Sequence, residues 1–169
     1  MTDRAIVLIG PMGAGKSSIG KKLARALGVA FTDSDSLIAR AHGPIEQIFR
    51  EHGEARFREL EAAAVAEALA AGGVVALGGG AVLHADTQRA LREHRVVLLT
   101  VSERTIAGRL RDTTRPLLQG DDPIARWREV FAARRDLYDS LAEATFDTST
   151  GPIQDIVDAV AAWAQEETT

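Results

Sequence analysis

Short runs of continuously apolar residues recur along the chain, and segments with helical periodicity separate them. A run that is apolar at every position indicates a strand covered on both faces, as in a parallel sheet. The pattern predicts four strands, at residues 5–9, 29–32, 74–77 and 96–101, and residues 145–147 are the candidate for a fifth.

The segments between these runs predict helices that cover both faces of the sheet. The predicted helices span residues 18–27, 36–41, 45–51, 54–71, 86–92, 103–111, 123–142 and 151–165. Alternation of strands and helices indicates an α/β fold of three layers around a central five-stranded parallel sheet. At 169 residues the chain is most simply one domain, residues 1–169, and is large enough to bury a proper core.

Glycine and polar residues follow three of the predicted strands, at the edge where open parallel sheets bind their ligands. The first strand leads into the sequence GPMGAGKS at residues 10–17, which fits the phosphate-binding pattern G-x-x-x-x-G-K-[ST]. Glycines let main-chain N–H groups surround an anion, and the following helix N-terminus favours negative charge. We expect Lys16 to reach the β- and γ-phosphates and Ser17 to bind Mg²⁺. The alternative is a plain glycine-rich turn.

Asp33 and Asp35 follow the second predicted strand. Residues two apart in extended backbone point to the same side, so both carboxylates could face one ligand. One could hold the water shell of a metal while the other faces a second substrate. Capping of the helix near Ser36 is the alternative reading of this pair.

The third predicted strand ends at Gly78, Gly79 and Gly80. Without Cβ atoms, the main-chain N–H groups of this triplet could approach a ligand closely. A simple turn is the alternative.

Two arginines lie on or beside predicted buried helix faces. Arg134 falls inside the apolar stripe of residues 124–141, whereas Arg135 lies off it and is expected to face solvent. Arg58 flanks the apolar face of residues 57–69, with Glu61 one turn away and able to orient it. The guanidinium fork suits a substrate carboxylate. A surface ion pair is the alternative for Arg58.

Composition narrows the function classes. The net charge of −4 does not suggest a surface for nucleic acid or anionic membranes, and the absence of cysteine excludes disulfides and thiolate chemistry. The first strand begins near residue 5, and no apolar run is long enough to cross a membrane. We therefore expect a cytoplasmic protein. We also expect a monomer.

The polar segment 112–122, which contains Arg115, is the candidate for a mobile lid over the phosphates, or is an ordinary surface loop.

These motifs, in this order and spacing, resemble shikimate kinase, a small phosphate-loop enzyme of the nucleoside-monophosphate-kinase-like group. The motifs are G-x-x-x-x-G-K-S, Asp33-x-Asp35, Phe57-Arg58, the triplet Gly78–Gly80, Arg115-Pro116-Leu117-Leu118 and Arg134 before Leu137-Tyr138. The resemblance implies transfer of the ATP γ-phosphate to the 3-hydroxyl of shikimate, with Mg²⁺ as cofactor.

The resemblance also implies roles for individual residues. Catalytic roles would fall to Lys16, Asp35 and Arg115. The nucleotide would contact Met12, Gly13, Ala14, Gly15, Lys16, Ser17, Ser18, Arg109 and Arg115. Shikimate would contact Asp35, Arg58, Gly78, Gly79, Gly80, Arg134, Phe49 and Phe57. Mg²⁺ would be held by Ser17 and, through water, by Asp33.

The chain departs from the family pattern at two places. Asp136 stands where a proline is usual, so either Arg134 or Arg135 could correspond to the substrate-binding arginine of the family pattern. The apolar stripe favours Arg134. For the adenine base, Arg109 or Arg111 is one candidate contact, and the family pattern would place the other near residues 149–152, which contain no arginine.

Other classes of phosphate-loop protein are alternatives for this chain. A regulatory GTPase needs an Asn-Lys-x-Asp motif, and the chain contains no asparagine. A nucleoside-monophosphate kinase, a gluconate-type carbohydrate kinase or a non-catalytic ATP-binding module would fit the phosphate loop. None of them accounts for Asp35, Arg58 and the glycine triplet together.

Overall fold

A five-stranded parallel sheet forms the centre of the computed structural model, which describes residues 4–109 and 122–166. The strands are β1 (Ile6–Ile9), β2 (Phe31–Asp33), β3 (Val74–Ala76), β4 (Arg95–Thr100) and β5 (Ala144–Asp147), in the order β2-β3-β1-β4-β5. In the registers, Leu8 of β1 lies opposite Ala76 and Val97 on its two neighbours. The predicted strands and their parallel arrangement are confirmed, with bounds that differ by one or two residues.

Helices cover both faces of the sheet. They are α1 (Lys16–Leu27), α2 (Ser34–His42), α3 (Ile45–Ala71), α4 (Ala85–Leu91), α5 (Glu103–Arg109), α6 (Pro123–Leu141) and α7 (Ile153–Glu166). Side chains alternate along β1, so Ile6 and Leu8 pack in one apolar layer and Val7 and Ile9 in the other. The first layer lies against α1, α5 and α7, and the second lies against α3 and α4.

Three local features differ from the sequence-based expectation. The two helices predicted at residues 45–51 and 54–71 form one run, α3, with a kink at Gly53, where φ is +81°. A short 3-10 helix, Ala81–Leu83, follows the glycine triplet and was not predicted. The last helix begins at Ile153 rather than at Gly151. Glycine adopts a positive φ without a steric penalty, so the kink at Gly53 adds little backbone strain.

The predicted lid, residues 112–122 with Arg115, lies outside the described residues except for Asp122. The Asp122 side chain caps α6 by accepting a hydrogen bond from the Ala125 N–H, at 3.0 Å. Arg111 also lies outside the described residues. Among the helices of residues 4–109 and 122–166, none is both long and apolar enough to cross a membrane.

Candidate active site

A cavity of about 310 Å³ lies at the carboxyl ends of the strands, where the sequence places its polar and glycine signals. The residues around it come from the phosphate loop, the end of β2 and the end of β3. They are Gly13, Ala14, Gly15, Lys16, Ser17, Ser18, Ile19, Asp33, Asp35, Leu77, Gly78, Gly79, Arg109, Thr148 and Ile153. The fold therefore brings three separate predicted motifs into one site.

The phosphate loop wraps around the Lys16 side chain. The Lys16 ammonium donates hydrogen bonds to the carbonyls of Gly10, at 2.6 Å, and Pro11, at 3.0 Å. Gly15 precedes α1 in a left-handed conformation, with φ of +94°, which a residue with a Cβ adopts at a cost. The N–H groups of the first turn of α1 therefore face the cavity end of the loop, where an anion is favoured.

Three side chains from other elements hold carbonyls of the phosphate loop. Arg109 donates to the Gly13 carbonyl at 2.7 Å, Thr148 donates to the Ala14 carbonyl at 2.8 Å, and the Trp127 indole donates to the Met12 carbonyl at 2.9 Å. Arg109 also donates to the Thr148 carbonyl, at 2.8 Å. Sequence reasoning missed Thr148 and Trp127. Thr148 directly follows β5, so the rule that ligands bind at strand ends could have indicated it.

The Asp33 side chain caps α2, as one of the two sequence-based alternatives predicts, and it also contacts the phosphate loop. One carboxylate oxygen caps α2 by accepting hydrogen bonds from the N–H groups of Asp35, at 2.9 Å, and Ser36, at 3.2 Å. The other oxygen accepts a hydrogen bond from the Ser17 hydroxyl in the phosphate loop. The cap therefore fixes the direction in which the second oxygen faces the nucleotide side of the cavity.

The glycine triplet passes close to the charged groups of the site, and each glycine leaves room for one of them. A Cβ placed on Gly78 would lie 2.6 Å from an Asp35 carboxylate oxygen, and one on Gly80 would lie 2.5 Å from the Arg58 guanidinium nitrogens. A Cβ on Gly79 would lie 3.5 Å from an Arg134 nitrogen. The triplet therefore lies between the two arginines and beside the carboxylate.

The resemblance implies that Arg58 binds shikimate, so this crowding predicts that Gly80→Ala weakens shikimate binding by displacing the end of the Arg58 side chain. We expect KM for shikimate to rise by about 10- to 100-fold, because the end of a flexible side chain gives way before the backbone. Gly108→Ala is the matched control, since a Cβ on Gly108, in α5, has no neighbour within 4 Å. Equal KM values for the two variants would contradict the prediction.

Arg58 is paired with a buried carboxylate. Its guanidinium donates to Glu61 at 2.6 Å, and the two side chains are 17% and 4% exposed. Burial raises the pKa of Glu61, and the charge and hydrogen bond of Arg58 oppose that shift. The predicted contact at i,i+3 is confirmed, but it lies inside the protein rather than on the surface, so Glu61 fixes the guanidinium in place.

The predicted difference in burial between the two neighbouring arginines of α6 is confirmed. Arg134 is 8% exposed, whereas the side chain of Arg135 is 46% exposed and pairs with Asp139 at 3.1 Å. The charge of Arg134 acts on both Glu61 and Tyr138, lowering their pKa values against the effect of burial. Arg134 therefore belongs to the same charged group as Arg58.

The aromatic residues predicted for the substrate pocket pack together beside Arg58. The Phe49 and Phe57 ring centroids are 4.6 Å apart, and the Arg58 guanidinium lies 5.3 Å from the Phe57 ring centroid. Phe57 is buried with Ile38, Ile48 and Ala64 between α2 and α3, and Phe49 is half-buried against this cluster. Both rings therefore form a wall behind the Arg58 side chain.

Comparison with known proteins identifies the family. The family model described as shikimate kinase matches residues 12–165. This chain belongs to the shikimate kinase family. A shikimate kinase of Corynebacterium efficiens is 47% identical over 162 residues, which cover 93% of this chain and 94% of that protein.

Solved shikimate kinases share the whole fold. The enzyme of Acinetobacter baumannii, solved in complex with shikimate, superimposes with a TM-score of 0.92 at 35% identity and covers 97% of this chain and 94% of its own. The enzyme of Bacteroides thetaiotaomicron gives a TM-score of 0.84 at 32% identity, over 96% of this chain and 98% of its own. The activity is ATP-dependent phosphorylation of shikimate, in the pathway to aromatic amino acids. The gluconate kinase and ATP-binding module readings are thereby set aside.

Proposed function

We propose that shikimate kinase activity in this chain is divided between the cavity at the phosphate loop and the charged group of Arg58 and Arg134 next to it. The phosphate loop and Ser17 hold the nucleotide, and Asp35 with Arg58 and Arg134 holds shikimate. The observation that carries this proposal is the glycine triplet, which joins the two regions: Gly78 and Gly79 line the cavity, and the missing Cβ atoms of Gly78 and Gly80 leave space for Asp35 and Arg58.

The nucleotide half rests on the loop and its supports. Main-chain N–H groups of residues 12–18 would surround the phosphates, with the Lys16 ammonium moving from the Gly10 and Pro11 carbonyls to the phosphate oxygens. Arg109 and Ile153 line the same cavity, so we place the adenine base between them. In this proposal the second contact with the adenine base, expected near residues 149–152, comes instead from Ile153, the first residue of α7.

The donor set fits Mg²⁺ as the metal. The Ser17 hydroxyl and the Asp33 carboxylate lie in contact at the edge of the phosphate loop, and oxygen is the ligand that Mg²⁺ prefers. In proteins Mg²⁺ usually keeps several waters and binds substrate phosphates, so few protein ligands are needed here. Bound there, Mg²⁺ would neutralise charge on the transferred phosphoryl group.

The shikimate half supplies charge and hydrogen bonds to a small polar anion. Arg58 and Arg134 would bind the carboxylate, because a guanidinium matches its two oxygens. Asp35 would accept a hydrogen bond from the hydroxyl that attacks and could take its proton, and Gly79 would bind a ring hydroxyl. Phosphoryl transfer through a loose transition state depends mainly on such positioning and on charge neutralisation, here by Lys16.

An assay of ADP release tests the proposed acceptor. The purified protein is supplied with ATP, Mg²⁺ and shikimate, gluconate or a nucleoside monophosphate in turn. We expect ADP only with shikimate, with the phosphate on the 3-hydroxyl, and only when Mg²⁺ is present. Release with gluconate or a monophosphate and none with shikimate would contradict the proposal, and so would full activity in excess chelator.

The two carboxylates predict different defects. Asp33→Asn should raise the Mg²⁺ requirement with little change in shikimate affinity, because the oxygen beside Ser17 is lost from the nucleotide side. Asp35→Asn should retain binding of Mg²⁺–ATP but lower kcat by about 10²-fold, since the attacking hydroxyl is no longer oriented. Mg²⁺ titrations and shikimate binding on both variants measure this. A higher Mg²⁺ requirement for Asp35→Asn and weak shikimate binding for Asp33→Asn would exchange the two assignments.

The remaining expectations concern the whole molecule. We propose a cytoplasmic monomer of one domain, and the apolar layers on both sides of one sheet support the single domain. Analytical ultracentrifugation of the purified protein measures its mass in solution. A sedimenting species of twice the mass of the chain would contradict the monomer.

A further inference from the structure

Helix α6 reaches both halves of the active site through its buried face. The buried residues of this helix are Trp127, Arg134 and Tyr138. Their separations of seven and four residues place all three side chains on one face of a helix. Trp127 packs in the apolar layer of α1 and α7, whereas Tyr138 packs in the layer of α3 and α4. The helix therefore links the two layers at the site.

Each aromatic residue of this face donates a hydrogen bond to a carbonyl of a glycine-rich loop. The Trp127 indole N–H donates to Met12 in the phosphate loop at 2.9 Å, and the Tyr138 hydroxyl donates to Gly79 in the triplet at 2.6 Å. A helix rises about 1.5 Å per residue, so the Cα atoms of Trp127 and Tyr138 lie about 16 Å apart along the axis of α6. The two glycine-rich loops are therefore hydrogen-bonded to the same helix.

The bond from Tyr138 determines the direction of a main-chain donor. The Gly79 carbonyl and the Gly80 N–H belong to one planar trans peptide and point in opposite directions. Because both flanking residues are glycine, no side chain restricts rotation of this peptide. Tyr138 as a whole residue is 1% exposed. Burial raises the pKa of its hydroxyl, so the hydroxyl stays protonated and able to donate. Tyr138 therefore aims the Gly80 N–H away from α6.

We propose that Tyr138 is a positioning residue for shikimate, and that α6 sets the glycine triplet in register with the phosphate loop through Tyr138 and Trp127. The proposal rests on the proposed role of the triplet in binding shikimate. Without the hydroxyl, the Gly79 carbonyl loses its partner and the peptide can rotate. Arg134 also loses its hydrogen bond with this hydroxyl, so a shift of the Gly80 amide signal is needed to assign the defect to the peptide. The defect should then appear in the binding of one substrate and not of the other.

The test compares Tyr138→Phe with Trp127→Phe, and uses Ser140→Ala as the matched control. Ser140 lies on the same helix and donates only to the Leu137 carbonyl of its own turn, at 2.7 Å. We expect Tyr138→Phe to raise KM for shikimate about tenfold at constant KM for ATP, and Trp127→Phe to do the reverse. In Tyr138→Phe the amide chemical shift of Gly80 should move more than that of Gly13. Ser140→Ala should match the wild type in all these quantities.

Several outcomes would overturn the proposal. Unchanged KM values in Tyr138→Phe, or equal rises in both KM values with a falling melting temperature, would reduce Tyr138 to a core residue. If Trp127→Phe does not fold, Tyr138→Phe alone decides, because the split between its two KM values is required. Weak shikimate binding in Arg58→Ala and Arg134→Ala beside a normal Tyr138→Phe would reject this inference and leave the proposed site intact. Normal shikimate binding in both arginine variants would reject the site itself.

Discussion

Replacing Lys16 with methionine is expected to lower kcat/KM by about 10²–10³-fold while the protein stays folded. The Lys16 ammonium is the cation of the phosphate loop, held over the Gly10 and Pro11 carbonyls. Loss of a preorganised charge at the transferring phosphoryl group has a cost of that order. Methionine keeps most of the length of the side chain, so packing around the loop is preserved.

Lys22→Met is the matched control for this experiment. Lys22 lies on the same helix, α1, and its side chain is exposed. The same chemical change there should leave turnover and melting temperature unchanged. Steady-state rates of ADP release and a thermal unfolding curve on each protein give the comparison. Wild-type turnover in a folded Lys16→Met protein would refute the role of this lysine.

The second large effect is expected at the two substrate-side arginines. Arg58→Ala and Arg134→Ala should each weaken shikimate binding by about 2–5 kcal/mol, because each removes one member of a desolvated charge pair. Nucleotide affinity should be spared in both variants. Arg58→Ala also leaves the Glu61 carboxylate buried without its partner at 2.6 Å. We therefore expect a lower melting temperature for this variant at neutral pH than at pH 5, since protonation of Glu61 relieves the uncompensated charge.

Arg135→Ala is the control, because this neighbour is exposed and pairs with Asp139. Exposed pairs of this kind contribute about 0–1 kcal/mol, so the variant should bind both ligands normally. Isothermal titration with shikimate and, separately, with nucleotide measures the two affinities. Loss of shikimate binding in Arg135→Ala, with normal binding in Arg134→Ala, would mean that Arg135 and not Arg134 binds the shikimate carboxylate.

The fold follows from the sequence because its signals are local and redundant. Strands that are apolar at every position bury both faces only between two layers of helices. Because the strands are parallel, their carboxyl ends bring Asp33, Gly78 and the phosphate loop to one edge of the sheet. The burial of Arg134 could be predicted for the same reason, since the helical stripe fixes the face on which it lies.

The hydrogen-bond partners of the site could not be predicted in this way. Apolar periodicity indicates that Trp127 and Tyr138 are buried, but it does not indicate which carbonyl each of them meets. Those partners lie 115 and 59 residues away in sequence and depend on how α6 packs across the sheet. The sequence also could not show that the two oxygens of Asp33 have different partners, because only the fold brings one oxygen to the N–H groups of α2 and the other to the Ser17 hydroxyl.

The glycine triplet also limits how this enzyme could evolve resistance to an inhibitor. A compound that hydrogen-bonds to the main chain of Gly78–Gly80 would contact atoms that every amino acid shares. Escape by substitution would require a side chain at one of these positions, and at Gly78 or Gly80 the first atom of any side chain would press against Asp35 or Arg58. A substitution at either glycine that excludes the inhibitor would therefore also disturb a group proposed to bind shikimate.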